Sequence, residues 1–150
     1  MTDTAIDIVE ITPETARAWM DIALEEARAG KEEGGQPIGS VLIGPAGEVL
    51  GRGRNRFAQL GDVSAHAETQ AFSDAAYRES YAGTTMVTTA EPCWYCSGLI
   101  RQFGISRVII GAATGTGGAA SLEDLGHEVH RIDDAESIEF LEGLRAAWKK

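Results

Sequence analysis

The chain has 150 residues and a formal net charge of −10, with 43% hydrophobic and 24% charged residues, an ordinary globular composition with room for one domain around a real core. That charge argues against a broad grip on nucleic acid, which normally needs a basic face, and favours a small neutral substrate. No apolar run approaches the roughly 18 residues of a membrane span, and the opening MTDTAIDIVEITPE lacks the basic region and apolar stretch of a secretory leader, so a cytoplasmic location is expected.

Thr12-Pro13 opens the first predicted helix, with Thr12 as N-cap and Pro13 at the first helical position. Ala16, Trp19, Met20, Ala23, Leu24 and Ala27 then form one apolar stripe, and Gly30 ends it. The Glu/Lys cluster at 25–33 reads as a solvated helix end. Ile38–Ile43 and Glu48–Gly53 read as strands of a hairpin joined by Gly44-Pro45-Ala46-Gly47. A helix is expected from about Ala65 to Tyr77, then a strand at Thr84–Ala90. Pro92 starts another helix, with Cys96, Leu99, Ile100 and Phe103 on one face and Gly104 as its stop.

Arg107–Gly111 is a strong strand and Glu128–Ile132 a weaker one. Between them, Gly111–Ala120 reads as a flexible loop; its Gly115-Thr116-Gly117 only faintly resembles a dinucleotide fingerprint, lacking the third glycine and a good crossover helix. Residues 135–148 form a closing helix with Phe140, Leu141, Leu144 and Trp148 inward. No repeat or long linker divides the chain. The expected architecture is a single α/β layer sandwich over residues 1–150.

Chemistry concentrates in His66-Ala67-Glu68 and Pro92-Cys93-Trp94-Tyr95-Cys96, each at the beginning of a predicted helix. A bond between the two cysteines would make a redox site, yet no second pair suggests a disulfide framework. The positive end of a helix dipole favours thiolates, and i, i+3 spacing puts both sulfurs on one face of the first turn. With His66 they make a three-ligand set; a structural zinc site normally has four, whereas a catalytic one leaves a position for water and lowers that water's pKa. Glu68, two residues from His66, is placed to take and return protons. His127 and His130 read as surface or edge-strand residues.

The pattern H-x-E followed by P-C-x-x-C is the signature of zinc deaminases. From about Met20 to Asp134 the chain resembles the cytidine/cytosine deaminase superfamily, and more narrowly the fungal-type cytosine deaminases. Glu33-Gly34-Gly35-Gln36-Pro37-Ile38-Gly39 and Val49-Leu50-Gly51-Arg52-Gly53-Arg54-Asn55 resemble the first strands of that family, and Gly126-His127-Glu128-Val129 with Asp133-Asp134 its last strand. The resemblance implies a three-layer sandwich with a mixed five-stranded sheet flanked by helices, and a homodimer. It also implies Zn2+ on His66, Cys93 and Cys96, with Glu68 as the proton shuttle.

By the same resemblance, Asn55 meets the base edge and Ala67 offers its backbone N–H to a ring carbonyl. An amide can donate and accept against a base edge at once, although Asn55 could also be a turn residue. Ala67 and Glu91-Pro92-Cys93 depart from the fungal cytosine deaminases, which have Gly and Ser at the positions of Ala67 and Glu91, and resemble guanine and tRNA adenosine deaminases instead. No aromatic in Gly111–Ala119 matches the ring-covering residue of the fungal enzymes, and their acidic tail has no counterpart; Trp148 is the only late aromatic.

The leading expectation is hydrolytic deamination of free cytosine or an analogue, a 5-substituted cytosine or an aminotriazine. Guanine or isoguanine deamination follows, with Glu91 as a substrate-binding residue that selects a purine. A tRNA adenosine deaminase, or a noncatalytic zinc-stabilised interaction domain, stands further off.

Overall fold

Residues 6–148 are described by a computed structural model; positions 1–5, part of the segment read above against a secretory leader, lie outside them, as do 149–150. Thr12 caps the first helix, α1 (Pro13–Glu32). Its hydroxyl accepts from the Thr15 N–H at 3.2 Å, and the Thr15 hydroxyl accepts from the Thr12 N–H at 2.8 Å, so two orphan donors are satisfied reciprocally. The expected apolar stripe is buried. The helix runs past Gly30, because Gly34 (φ 82°) rather than Gly30 takes the left-handed conformation beyond its end.

β1 (Gly39–Ile43) and β2 (Val49–Arg54) form the expected antiparallel hairpin. β3 (Thr85–Ala90) joins β1 antiparallel, then β4 (Arg107–Ala112) and β5 (Glu128–Arg131) add in parallel, giving the order β2-β1-β3-β4-β5. The further helices are α2 (Phe57–Leu60), α3 (Ala67–Asp74), α4 (Trp94–Phe103), α5 (Gly118–Asp124) and α6 (Ala135–Trp148). Alternate strand residues face opposite layers. Val41, Ile43, Val87 and Ile109 pack against α1, with Phe140 of α6 beside them. Leu42, Met86, Val108 and Ile110 pack with Ala71, Ile100 and Leu122 of α3, α4 and α5. This is the expected three-layer sandwich around a mixed five-stranded sheet.

Several expectations are corrected. The stretch Gly111–Ala120, read as one flexible loop, begins inside β4 and ends inside α5, since parallel β4 and β5 require a crossover. The seven residues of α5 begin Gly118-Ala119-Ala120 and bury Ala119 and Leu122, too short a pattern to stand out in the sequence. α3 is shorter than expected: His66 is still extended (φ −74°, ψ 158°) and Ala76 has φ 61°. Pro92 precedes the N-cap Cys93 rather than opening the helix. Trp148 does not point into the core; it is 62% exposed. The 25–33 cluster is more than a solvated end. Glu26 is 8% exposed and accepts from Arg52 at 2.8 Å and from Arg54, while Glu25 and Glu33 take the outer sides of those two guanidinium groups. The network ties α1 to β2.

Two glycines set the height of α3 over the sheet. A Cβ on Gly51 would lie 2.4 Å from the Ala71 carbonyl oxygen, and one on Gly53 2.4 Å from the Ala71 nitrogen. β2 therefore offers bare backbone, and α3 lies directly on it.

Asp134 ends the chain's path through the sheet and starts α6. Its carboxylate accepts from the Ser137 N–H at 2.8 Å, from the Ser137 hydroxyl at 2.6 Å and from Arg17 at 2.7 Å. Burial alone would raise its pKa; the Ser137 and Arg17 bonds overcome that and hold it below the ordinary carboxylate value. A lowered folded pKa contributes stability that is complete above about pH 4 and is lost as pH falls through the folded value. Asp134→Ala should cost about 2 kcal/mol in urea denaturation at neutral pH. The gap between variant and wild type should close as the pH is taken into the acid range, and a gap independent of pH would refute the ionised cap.

Candidate active site

Four chain segments meet at one end of the sheet. There β1 begins after Ile38, β2 ends at Arg54, and the parallel strands β3 and β4 end at Ala90 and Ala112. The carboxyl ends of parallel strands, where successive connections leave in different directions, are the usual place for a crevice in such sheets. A cavity of about 280 Å³ opens at this end, lined in part by Ile38, Asn55, Phe57, His66, Glu68 and Cys93.

His66 is the N-cap of α3 and Cys93 the N-cap of α4, yet neither side chain caps its own helix. They turn toward each other instead: His66 Nδ1 stands 3.6 Å from Cys93 Sγ. Cys96, three residues into the same turn, completes a group whose ligand atoms all lie within 4.8 Å of one another. Tetrahedral zinc with bonds of about 2.0–2.3 Å has ligand–ligand edges of roughly 3.5–3.8 Å, so the His66–Cys93 separation and the soft N/S donor set fit that ion. The Cys93 thiol is pulled down to about 3, first by the hydrogen-bonding Cys96 thiol beside it and then by His66. The same contact, with burial and the nearby Glu68, pushes Cys96 up, and the Cys93 sulfur raises the pKa of His66. One proton shared between two sulfurs is what a divalent cation displaces.

Glu68 lies in the first turn of α3, 4% exposed, with Oε1 2.6 Å from the Thr88 hydroxyl of β3. Asn55 is 3% exposed; its Oδ1 accepts from the Phe57 N–H at 3.2 Å, which leaves its NH2 donors for the cavity that it lines. It is thus both a turn residue and a cavity residue. Ala67 opens α3 on the cavity, and no described acceptor takes its N–H. Glu91 also borders the cavity, but its oxygens are engaged: Oε1 by the Thr114 N–H at 3.3 Å, Oε2 by the Ala119 N–H at 3.2 Å and the Thr116 hydroxyl at 3.4 Å. His127 and His130 sit away from this group; His127 Nδ1 is 2.8 Å from the Ile105 carbonyl and His130 pairs with Glu128 at 3.2 Å.

The sequence reading missed the aromatic clamp on the histidine and most of the wall supplied by α6. Phe57 and Tyr95 meet the His66 ring edge-on at 4.9 and 5.0 Å. Leu141, Arg145 and Trp148 of α6 complete the cavity, and Arg145 donates to the Thr114 carbonyl, joining α6 to the loop after β4. Tyr95 was legible inside the cysteine motif; the α6 residues had only the lone late tryptophan as a signal.

Residues 13–112 match the cytidine and deoxycytidylate deaminase zinc-binding region. The chain belongs to that deaminase family. Its match spans every residue of the metal group and ends where β4 ends. A cytosine deaminase of Candida albicans is 34% identical over 125 residues, covering 81% of this chain and 83% of that protein. A solved tRNA:A34 deaminase of A-to-I editing at the wobble position is 32% identical with a TM-score of 0.74, covering 83% of this chain and 99% of its own. The guanine deaminase of Nitrosomonas europaea, 24% identical with a TM-score of 0.75 over 92% of this chain and 87% of its own, shares the fold.

As a zinc-binding deaminase domain, the chain should purify with about one zinc, held by His66, Cys93 and Cys96 alone. Metal analysis of Cys96→Ala should show that zinc lost, and full retention would remove Cys96 from the ligand set.

Proposed function

We propose that this deaminase acts on a free nucleobase, cytosine or a close analogue such as a 5-substituted cytosine or an aminotriazine. The observation that carries the reading is the α6 wall: Leu141, Arg145 and Trp148 line the same cavity as His66, Glu68 and Cys93. At about 280 Å³ the cavity is at the lower edge of the roughly 300–1,000 Å³ of small-molecule sites, which suits one small ring. The net charge of −10 gives a polyanion little to bind. The exposed face of Trp148 is an aromatic surface on which such a ring can stack.

In this reading His66, Cys93 and Cys96 hold zinc, which when bound supplies the Lewis acidity that makes water nucleophilic near neutral pH. The Asn55 amide and the Ala67 N–H orient the base by its polar edge. Glu68 takes a proton from the water that adds to the amine-bearing ring carbon, C4 in cytosine, and passes it to the adjacent ring nitrogen. It then carries the second proton of that water to the departing amine. The C–N bond breaks, ammonia leaves, and the water oxygen remains as the new ring carbonyl. Glu91, with both oxygens engaged by the loop after β4 and the start of α5, braces the cavity wall, which weakens the case for a purine that its position in the sequence had suggested.

Ammonia release should be assayed with cytosine, 5-methylcytosine, an aminotriazine, guanine, isoguanine and an adenosine-bearing tRNA anticodon stem. Turnover is expected with the cytosine-like bases and not with the tRNA; activity confined to guanine or to the tRNA stem would overturn the substrate assignment. Glu68→Gln should keep zinc and fold while losing at least about 10²-fold in turnover, because an amide cannot accept and return a proton. Near-normal turnover in that variant would take Glu68 out of the mechanism.

A further inference from the structure

Thr88 is a hydroxyl in the central strand of the sheet. It is fully buried, paired with Ser40 of β1 on one side and Ile110 of β4 on the other. A hydroxyl placed there must find a partner, because burying it unbonded costs about 1–3 kcal/mol. The ordinary solution is local, since threonine commonly bonds nearby backbone. Thr88 has that option in the Ala90 carbonyl at 3.0 Å, but its shorter contact, 2.6 Å, runs to Glu68 Oε1 on a different element.

A hydroxyl carries one proton and can commit it fully to one acceptor. A carboxylate is the stronger acceptor, and such charge-assisted bonds are short. Among the described residues Thr88 is the one hydroxyl that donates to the Glu68 carboxylate, whose other close hydrogen-bonding neighbour is the Cys96 thiol of the metal group. The terminal torsion of a glutamate is broad and two-fold, so an unanchored carboxylate turns freely about it. Anchoring Oε1 to the sheet sets the carboxylate plane against the cavity that Glu68 lines. Thr88 itself does not line that cavity.

We infer that Thr88 is the positioning residue of the proton shuttle: its hydroxyl clamps Glu68 Oε1 so that the carboxylate is held in place for both proton transfers. The inference rests on the shuttle role proposed above for Glu68. Because Thr88 acts on the carboxylate and not on the base, it governs kcat and leaves KM nearly alone. A misplacement of about 1 Å in a reacting group can cost on the order of 10²-fold.

The test compares Thr88→Val, which keeps the shape and removes the hydroxyl, with Thr88→Ser, which keeps the hydroxyl. Steady-state kinetics with the best base from the panel are read alongside zinc content and thermal unfolding, and Glu68→Gln is run in parallel. Thr88→Val is expected to hold its zinc and a KM within about twofold, with kcat down about 10- to 100-fold. Thr88→Ser is expected to recover kcat to within a few-fold of wild type. Should the valine variant fold poorly, Thr88→Ala against Thr88→Ser makes the same comparison, since those two differ by a single oxygen. Wild-type kcat in Thr88→Val, or an equal loss of kcat in the hydroxyl-bearing and hydroxyl-lacking variants, overturns the assignment. An active Glu68→Gln overturns the shuttle reading itself, whereas an inactive Glu68→Gln beside a fully active Thr88→Val overturns the Thr88 inference alone.

Discussion

His66 and Cys93 are 27 residues apart in the chain and 3.6 Å apart in space, and the backbone of two helices holds that distance. Each residue is the N-cap of its helix, so its position is set by where the helix starts and not by a long flexible side chain. α3 is located by the bare backbone of β2 beneath it, at Gly51 and Gly53. α4 is located by β3, whose last residue is three positions before Cys93. Both helices point their positive ends at the same spot, which favours thiolate sulfur and any developing negative charge there.

The sheet interior carries the rest of that arrangement. β1, β3 and β4 are almost wholly buried, and two of the side chains they supply are polar for a local reason. Thr88 reaches Glu68, and Thr89 accepts from the Gly39 N–H at 3.1 Å where β1 begins. Buried hydroxyls of this kind cost free energy unless bonded, and the bonds of Thr88 and Thr89 each fix one edge of the cavity end. The Glu26 pair with Arg52 and Arg54 does a similar task from the other layer. A half-buried ion pair is weak evidence for stability, but it gives α1 and β2 one register.

Much of this was legible in the residues. The α1 stripe, its cap, the hairpin and the parallel strand β4 follow from apolar spacing and turn chemistry, which are local. The metal group was legible because helix starts and i, i+3 spacing are local too. What was not legible depended on neighbours distant in sequence. Glu26 reads as solvent-facing until β2 is laid beside it; α5 is barely two turns and starts with small residues; Trp148 reads as core by periodicity, yet it is largely exposed beside the cavity. Glu91 was read for its chemistry alone, and its oxygens turned out to hold the loop after β4 and the start of α5.

The family match stops at Ala112, the last residue of β4, and among the described residues after it five line the cavity. Thr114, Thr116, Leu141, Arg145 and Trp148 come from the final quarter of the chain, while the metal group, Glu68 and Asn55 come from residues 55–96. The molecule is divided into an inherited reaction and an adjustable frame. Changes to the C-terminal helix can therefore reshape the cavity wall without touching the two helix starts that set the His66–Cys93 distance.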